Sequence, residues 1–127
     1  MKNKILIVDD DKLNIRILQE ILSGEFCFEQ ASSGQHALQA ADKFRPDIIL
    51  LDIMMPDMDG FEVCRRIKSN PNLSFTKIIL LSAKSMLQER LLGYNAGADD
   101  YMVKPFEPEE LMAKVKVFIK LKSIEEI

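Results

Sequence analysis

The feature that most constrains this chain is an alternation, repeated five times, of a short apolar run with a segment of helical spacing. The runs fall at residues 4–9, 26–31, 47–52, 77–82 and 100–103. Between them lie amphipathic segments at 13–23, 35–44, 61–69 and 86–95, and a last one opens at Pro108. In the first, Ile15, Leu18, Ile21 and Leu22 recur at helical intervals, with Gly24 as the expected stop. Ser33 is placed to cap the second helix, which buries Ala37, Leu38, Ala41 and Phe44 and ends at Arg45-Pro46. Strands that alternate with helices call for a parallel sheet covered on both faces.

Strand order follows from the same runs. Ile5-Leu6-Ile7-Val8, Ile48-Ile49-Leu50-Leu51 and Ile78-Ile79-Leu80-Leu81 are wholly apolar, as strands buried on both faces must be. The second run carries Glu29 and Gln30, and the fifth is short, so both suit the rims. That is the flavodoxin-like doubly wound α/β order 2-1-3-4-5, with five strands and five helices.

Size and charge exclude several classes. A chain of 127 residues predicts one domain, read as 1–120, with 121–127 as a helical extension or the start of a linker. No apolar stretch approaches the roughly 20 residues of a bilayer span, and the N-terminal apolar run is too short for a signal peptide. No membrane association is expected, and a cytoplasmic location is. With 17 Lys and Arg against 20 Asp and Glu, the net charge is −3, so the domain offers no basic face for direct nucleic-acid binding. Cys27 and Cys64 fit neither a zinc spacing nor a redox pair and read as small apolar side chains.

Ligands of such sheets bind beyond the carboxyl ends of the strands, where strand order reverses. After the first strand come Asp9, Asp10 and Asp11, and the third ends in Asp52. The fourth ends in Ser82 and the fifth runs into Lys104-Pro105. Clustered carboxylates repel, so either one takes a proton or a cation sits among them. Oxygen donors without His or Cys favour a hard ion, Mg²⁺, which recruits phosphate as a further ligand. A Lys and a Ser hydroxyl beside it suit phosphoryl oxygens, and an Asp held in line is a nucleophile able to form an aspartyl phosphate.

These residues carry a family resemblance. The chain resembles a response-regulator receiver domain of two-component signalling from Lys4 to about Ile119. The matching pieces are Ile5 to Asp10, Asp52 with Met55-Pro56-Asp57-Met58-Asp59-Gly60, Leu81-Ser82-Ala83, and Gly97 through Phe106. The resemblance implies that Asp52 accepts a phosphoryl group from the phosphohistidine of a sensor kinase or phosphotransfer protein. It implies Mg²⁺ held by Asp10, Asp52 and the Met54 carbonyl, with Asp9 assisting through a bound water. Lys104 and Ser82 are the implied contacts to phosphoryl oxygens, and Tyr101 the aromatic switch. Pro105 is the implied cis-proline, and Met54 and Lys84 match positions that tune phosphate lifetime. Phosphorylation is then expected to reshape the face of helix four, strand five and helix five, and so to control an output domain or effector. On that reading the chain is a switch that catalyses its own phosphorylation and dephosphorylation rather than a metabolic enzyme, and a homodimer on phosphorylation stays open.

Competing readings attach to the same residues. Tyr101 suits an edge strand regardless of signalling, Gly60 can serve backbone freedom alone, and His36 reads as an exposed surface residue. Asp57-Met58-Asp59-Gly60 looks like a phosphatase aspartate motif, but Met55-Pro56 separates it from the strand. As a calcium loop it lacks the bidentate Glu, since Arg66 holds that position. A phosphate-independent binding module and a Mg²⁺ hydrolase are the alternative functions. The intact acidic set speaks against the first, and the lack of a cap domain or substrate pocket against the second. In the last helix Leu111, Val115 and Phe118 are expected on the sheet, with Leu121, Ile124 and Ile127 continuing the pattern toward a loose tail, a linker or a dimer contact.

Overall fold

The computed structural model describes residues 2–127. Five parallel strands form one sheet: β1 (Asn3–Val8), β2 (Phe26–Ala31), β3 (Ile48–Asp52), β4 (Lys77–Ser82) and β5 (Asp100–Val103). Their order is β2-β1-β3-β4-β5, the doubly wound topology expected from the apolar runs. The helices are α1 (Lys12–Ile21), α2 (Gly34–Phe44), α3 (Gly60–Lys68), α4 (Leu87–Asn95) and α5 (Pro108–Glu125), with one 3-10 turn at Pro71–Leu73. Among the described residues no helix is long and apolar enough to cross a membrane.

Strand side chains point alternately to opposite faces, so each apolar run feeds two cores. Leu6, Val8, Ile49, Leu51, Ile78 and Leu80 pack with Ala37, Ala41, Val63, Cys64 and Ile67 from α2 and α3. Ile5, Ile7, Ile48, Leu50, Ile79 and Leu81 pack with Ile15 and Leu18 of α1 and Leu111 and Val115 of α5. Runs apolar at every position are therefore what a central strand between two helical layers requires. The edge strand β2 shows the contrast: Cys27, Glu29 and Gln30 are exposed. The small-apolar reading holds for the buried Cys64, whose thiol burial pushes up to about 11. It fails for Cys27, because an edge strand has one uncovered side.

Helix ends follow local chemistry. Asp11 caps α1 by accepting from Leu13 N–H, and Ser33 caps α2 through His36 N–H. Gly24 is not the stop expected of it: α1 ends at Ile21, and Gly24 takes φ +89° in the turn beyond. Arg45 closes α2 in the left-handed region at φ 53°, with Pro46 behind it preventing continuation.

The last turns of α5 change character. Leu121, Ile124 and Ile127 are exposed, and the inward side is charged instead. Lys122 Nζ pairs with Asp47 at 3.0 Å and Glu126 at 2.7 Å, while the buried Lys77 pairs with Glu125. Asp99 extends the network, accepting from Ile78 N–H at 2.8 Å and from Lys68 at 3.0 Å. These bonds tie the helix to the amino-terminal edge of the sheet, opposite the acidic edge. Lys122→Met is expected to cost about 1–2 kcal/mol. Hydrogen exchange should show amide protection lost from Phe118 onward and unchanged at Leu111.

Candidate acidic phosphoryl site

Register assembles the site. Val8 pairs with Leu51, Asp52 with Leu81, and Ser82 with Val103, so the strands finish nearly level along one edge. Asp9, Asp52, Ser82 and Lys104 stand at or just past those ends. Oxygen donors of Asp9, Asp10 and Asp52 lie within 4.8 Å of one another, a cluster able to hold a metal ion. No His or Cys takes part, and that donor set suits a hard cation. Asp11 leaves the cluster to cap α1.

Most of the site is buried. Asp9 is 2% exposed, Asp52 8% and Ser82 1%, whereas Asp10 faces solvent. Asp9 accepts from Asp11 N–H at 2.9 Å, and Asp52 Oδ1 from Met54 N–H at 3.0 Å. Lys104 Nζ bridges the other oxygens, 3.6 Å from Asp52 and 3.8 Å from Asp9. One ammonium does not balance the group. Burial, joined by the Asp52 charge, pushes the Asp9 carboxyl up to about 6 against the pull of Asp11 N–H and Lys104. A cation among the carboxylates would relieve that cost, which is a physical test the donor set passes.

On the β4–β5 side, Ser82 Oγ accepts from Lys84 N–H at 3.0 Å. Tyr101 is buried, and its hydroxyl donates to the Lys84 carbonyl at 2.9 Å. One exposed residue thus meets both Ser82 and Tyr101 through its backbone, a link with no counterpart in sequence spacing. The Lys104–Pro105 peptide is cis. Met54 is exposed beside Asp10, and His36 lies on the surface of α2. Gly60 departs from the reading of backbone freedom. Its φ is not in the positive range, and a Cβ there would lie 2.7 Å from Ile53 Cα and 2.9 Å from the Asp52 carbonyl oxygen. The glycine is needed for close approach of α3 to the end of β3.

With fold and edge in view, comparison with known proteins agrees. The response regulator receiver domain pattern matches residues 5–116. The chain belongs to this family, the receiver domains of two-component signal transduction. It is 42% identical over 117 residues to the DNA-binding response regulator MtrA of Mycobacterium tuberculosis, covering 91% of this chain and 50% of that protein. It is 41% identical over 125 residues to the alkaline phosphatase synthesis transcriptional regulatory protein PhoP of Bacillus subtilis, covering 98% of this chain and 51% of that one. The chain therefore spans about half the length of these curated relatives. The BeF3-activated DrrB receiver domain superimposes with a TM-score of 0.85 at 39% identity, covering 94% of this chain and 99% of the other.

Proposed function

We propose that this domain is a phosphoacceptor switch in which Asp52 takes a phosphoryl group from the phosphohistidine of a partner kinase or phosphotransfer protein. The observation that carries the reading is the buried Asp52 carboxylate, clustered with Asp9 and Asp10 and 3.6 Å from Lys104. Asp10, Asp52 and the Met54 carbonyl are the proposed Mg²⁺ ligands, with Asp9 assisting through water. Bound Mg²⁺ supplies positive charge to offset the carboxylates and the phosphoryl oxygens.

Asp52 Oδ forms the new bond to phosphorus as the phosphorus–nitrogen bond breaks. The imidazole nitrogen keeps the electron pair and is protonated. Lys104 pairs with one phosphoryl oxygen, and the Ser82 hydroxyl donates to a second. Its own O–H is free for this, because Oγ now only accepts from Lys84 N–H, and a move of Ser82 toward the phosphoryl oxygen would draw on that bond. The Tyr101 hydroxyl, on the carbonyl of the same residue, is coupled to that rearrangement. The consequence falls on α4, β5 and α5, the proposed output face toward an effector or output domain. The relatives' names, a DNA-binding regulator and a transcriptional regulator, fit an output acting on DNA outside this acidic domain. The same residues would admit water for self-catalysed dephosphorylation. Residues 1–120 form the proposed receiver unit, with 121–127 as its helical extension or the start of a linker.

Intact-mass spectrometry after incubation with Mg²⁺ and a small acyl phosphate tests the proposal. One phosphoryl adduct is expected, absent with a chelator and absent in Asp52→Asn. A folded protein that gains no adduct with Mg²⁺ present would instead be a phosphate-independent binding module.

A further inference from the structure

The segment 53–59 carries the chain from the phosphoacceptor strand to α3, and Met54 lies within it. Backbone hydrogen bonds hold its ends: Ile53 N–H donates to the Leu81 carbonyl at 3.2 Å, and Gly60 N–H to the Ile53 carbonyl at 3.0 Å. Between them Met54, Pro56, Asp57 and Asp59 are exposed. Ile53 and Met55 are buried in the core and Met58 packs against it, so burial pins alternate positions and leaves the Met54 and Pro56–Asp57 stretches outside it.

One exposed side chain adds a polar anchor to that burial. Asp57 reaches α2, a helix more than twenty residues earlier, and takes its first two amides. Gly34 N–H donates to Oδ1 at 3.0 Å and Gln35 N–H to Oδ2 at 3.2 Å. The helix's own cap, Ser33, takes the next amide, His36 N–H, at 3.1 Å. A carboxylate spread across two N-terminal amides is favoured by both charge-assisted bonding and the helix dipole. The Gly34 and Gln35 N–H groups also hold the Asp57 carboxyl below the usual carboxylate range.

Packing gives a second, independent sign. A Cβ on Gly34 would come within 2.6 Å of Met58 Cβ and 3.0 Å of Val63 Cγ2. Position 34 therefore leaves room for the loop to lie against the helix where Asp57 bonds. Asp59 does not share this task, since it caps α3 through Glu62 N–H at 2.9 Å.

We propose that Asp57 is a positioning residue for the phosphoryl site: by clamping segment 53–59 to the start of α2, it fixes the Met54 carbonyl beside Asp52. The proposal rests on the receiver reading above, with Met54 in the Mg²⁺ ligand set. It also makes α2 a mechanical neighbour of the phosphoacceptor loop.

The test compares the full chain with Asp57→Ala, Asp57→Asn and Gly34→Ala. Amide exchange is measured without Mg²⁺, Mg²⁺ binding by calorimetry, and phosphoryl uptake at saturating Mg²⁺. For Asp57→Ala we expect faster exchange at Met54, Met55 and Met58 and an apparent Mg²⁺ dissociation constant raised about tenfold. Uptake at saturating Mg²⁺ should approach that of the parent. Asp57→Asn keeps one acceptor and should fall between the two. Gly34→Ala pushes the loop away with every carboxylate in place, and should weaken Mg²⁺ binding in the same direction. If Asp57→Ala frays α2 but leaves Mg²⁺ affinity and exchange at Met54 unchanged, Asp57 is a helix cap only and the proposal falls. If the parent itself binds no Mg²⁺, the receiver reading falls and takes this proposal with it.

Discussion

Asp9→Asn is expected to stabilise the protein by about 2–3 kcal/mol near neutral pH when no Mg²⁺ is added. The Asp9 carboxyl is raised from 3.8 to about 6, chiefly by burial and then by the charge of Asp52. Between those values the folded state binds more protons than the unfolded state. Stability therefore falls as pH rises from about 4 through about 6, and the full penalty remains above that. Asparagine keeps an oxygen for Asp11 N–H and carries no charge, so this segment of the pH profile should disappear. Asp47 behaves oppositely: burial works against the shift, but Lys4 N–H and Lys122 outweigh it and hold its carboxyl low. Its contribution is lost only as pH falls below the usual carboxylate range, which leaves the Asp9 window readable. Denaturant melts across pH check the sign. Added Mg²⁺ should stabilise the parent more than the variant, because a ligand stabilises whichever form binds it better. A parent whose stability rises from pH 4 to 6, with Asp9→Asn identical to it, would contradict this account.

Gly60→Ala should damage both stability and phosphoryl uptake. The added methyl meets Ile53 Cα and the Asp52 carbonyl oxygen, both backbone atoms that cannot rotate aside. Helix α3 must retreat or the end of β3 must shift, at a cost of about 2–3 kcal/mol. The shift falls on the phosphoacceptor itself, and misplacing a reacting group by about 1 Å can cost 10²-fold in rate. Uptake from an acyl phosphate should fall by about that factor. Gly24→Ala is the control: it meets no atom within 4 Å and is strained only by its φ of +89°. It should cost about 1–2 kcal/mol and leave uptake unchanged. Thermal melts and adduct kinetics on the two variants separate a general glycine effect from one of position.

Sequence alone determined the sheet, its strand order and the edge at which the polar groups gather. The reason is local: an interior parallel strand must be apolar on both faces, so Ile48 to Leu51 and Ile78 to Leu81 declare themselves, while Glu29 and Gln30 mark a rim. A residue following a strand must also emerge at its carboxyl end, which brings Asp9, Asp10, Asp52, Ser82 and Lys104 to one side once the order is known. Tertiary structure decided what depends on neighbours distant in the chain. Gly60 proved to be a matter of space against β3 rather than of backbone angle. Cys27 turned outward because its strand has an open side. The backbone of Lys84 became the shared partner of Ser82 and Tyr101, and the apolar pattern past Ile119 gave way to Lys122 and Lys77 as the anchors of α5. Asp57, given no role of its own in the sequence reading, accepts from the first two amides of a helix formed more than twenty residues earlier. Hydrophobic periodicity records which face of an element is buried. It carries no information about which distant backbone atom will meet that face, and these assignments were made only when the strands came into register.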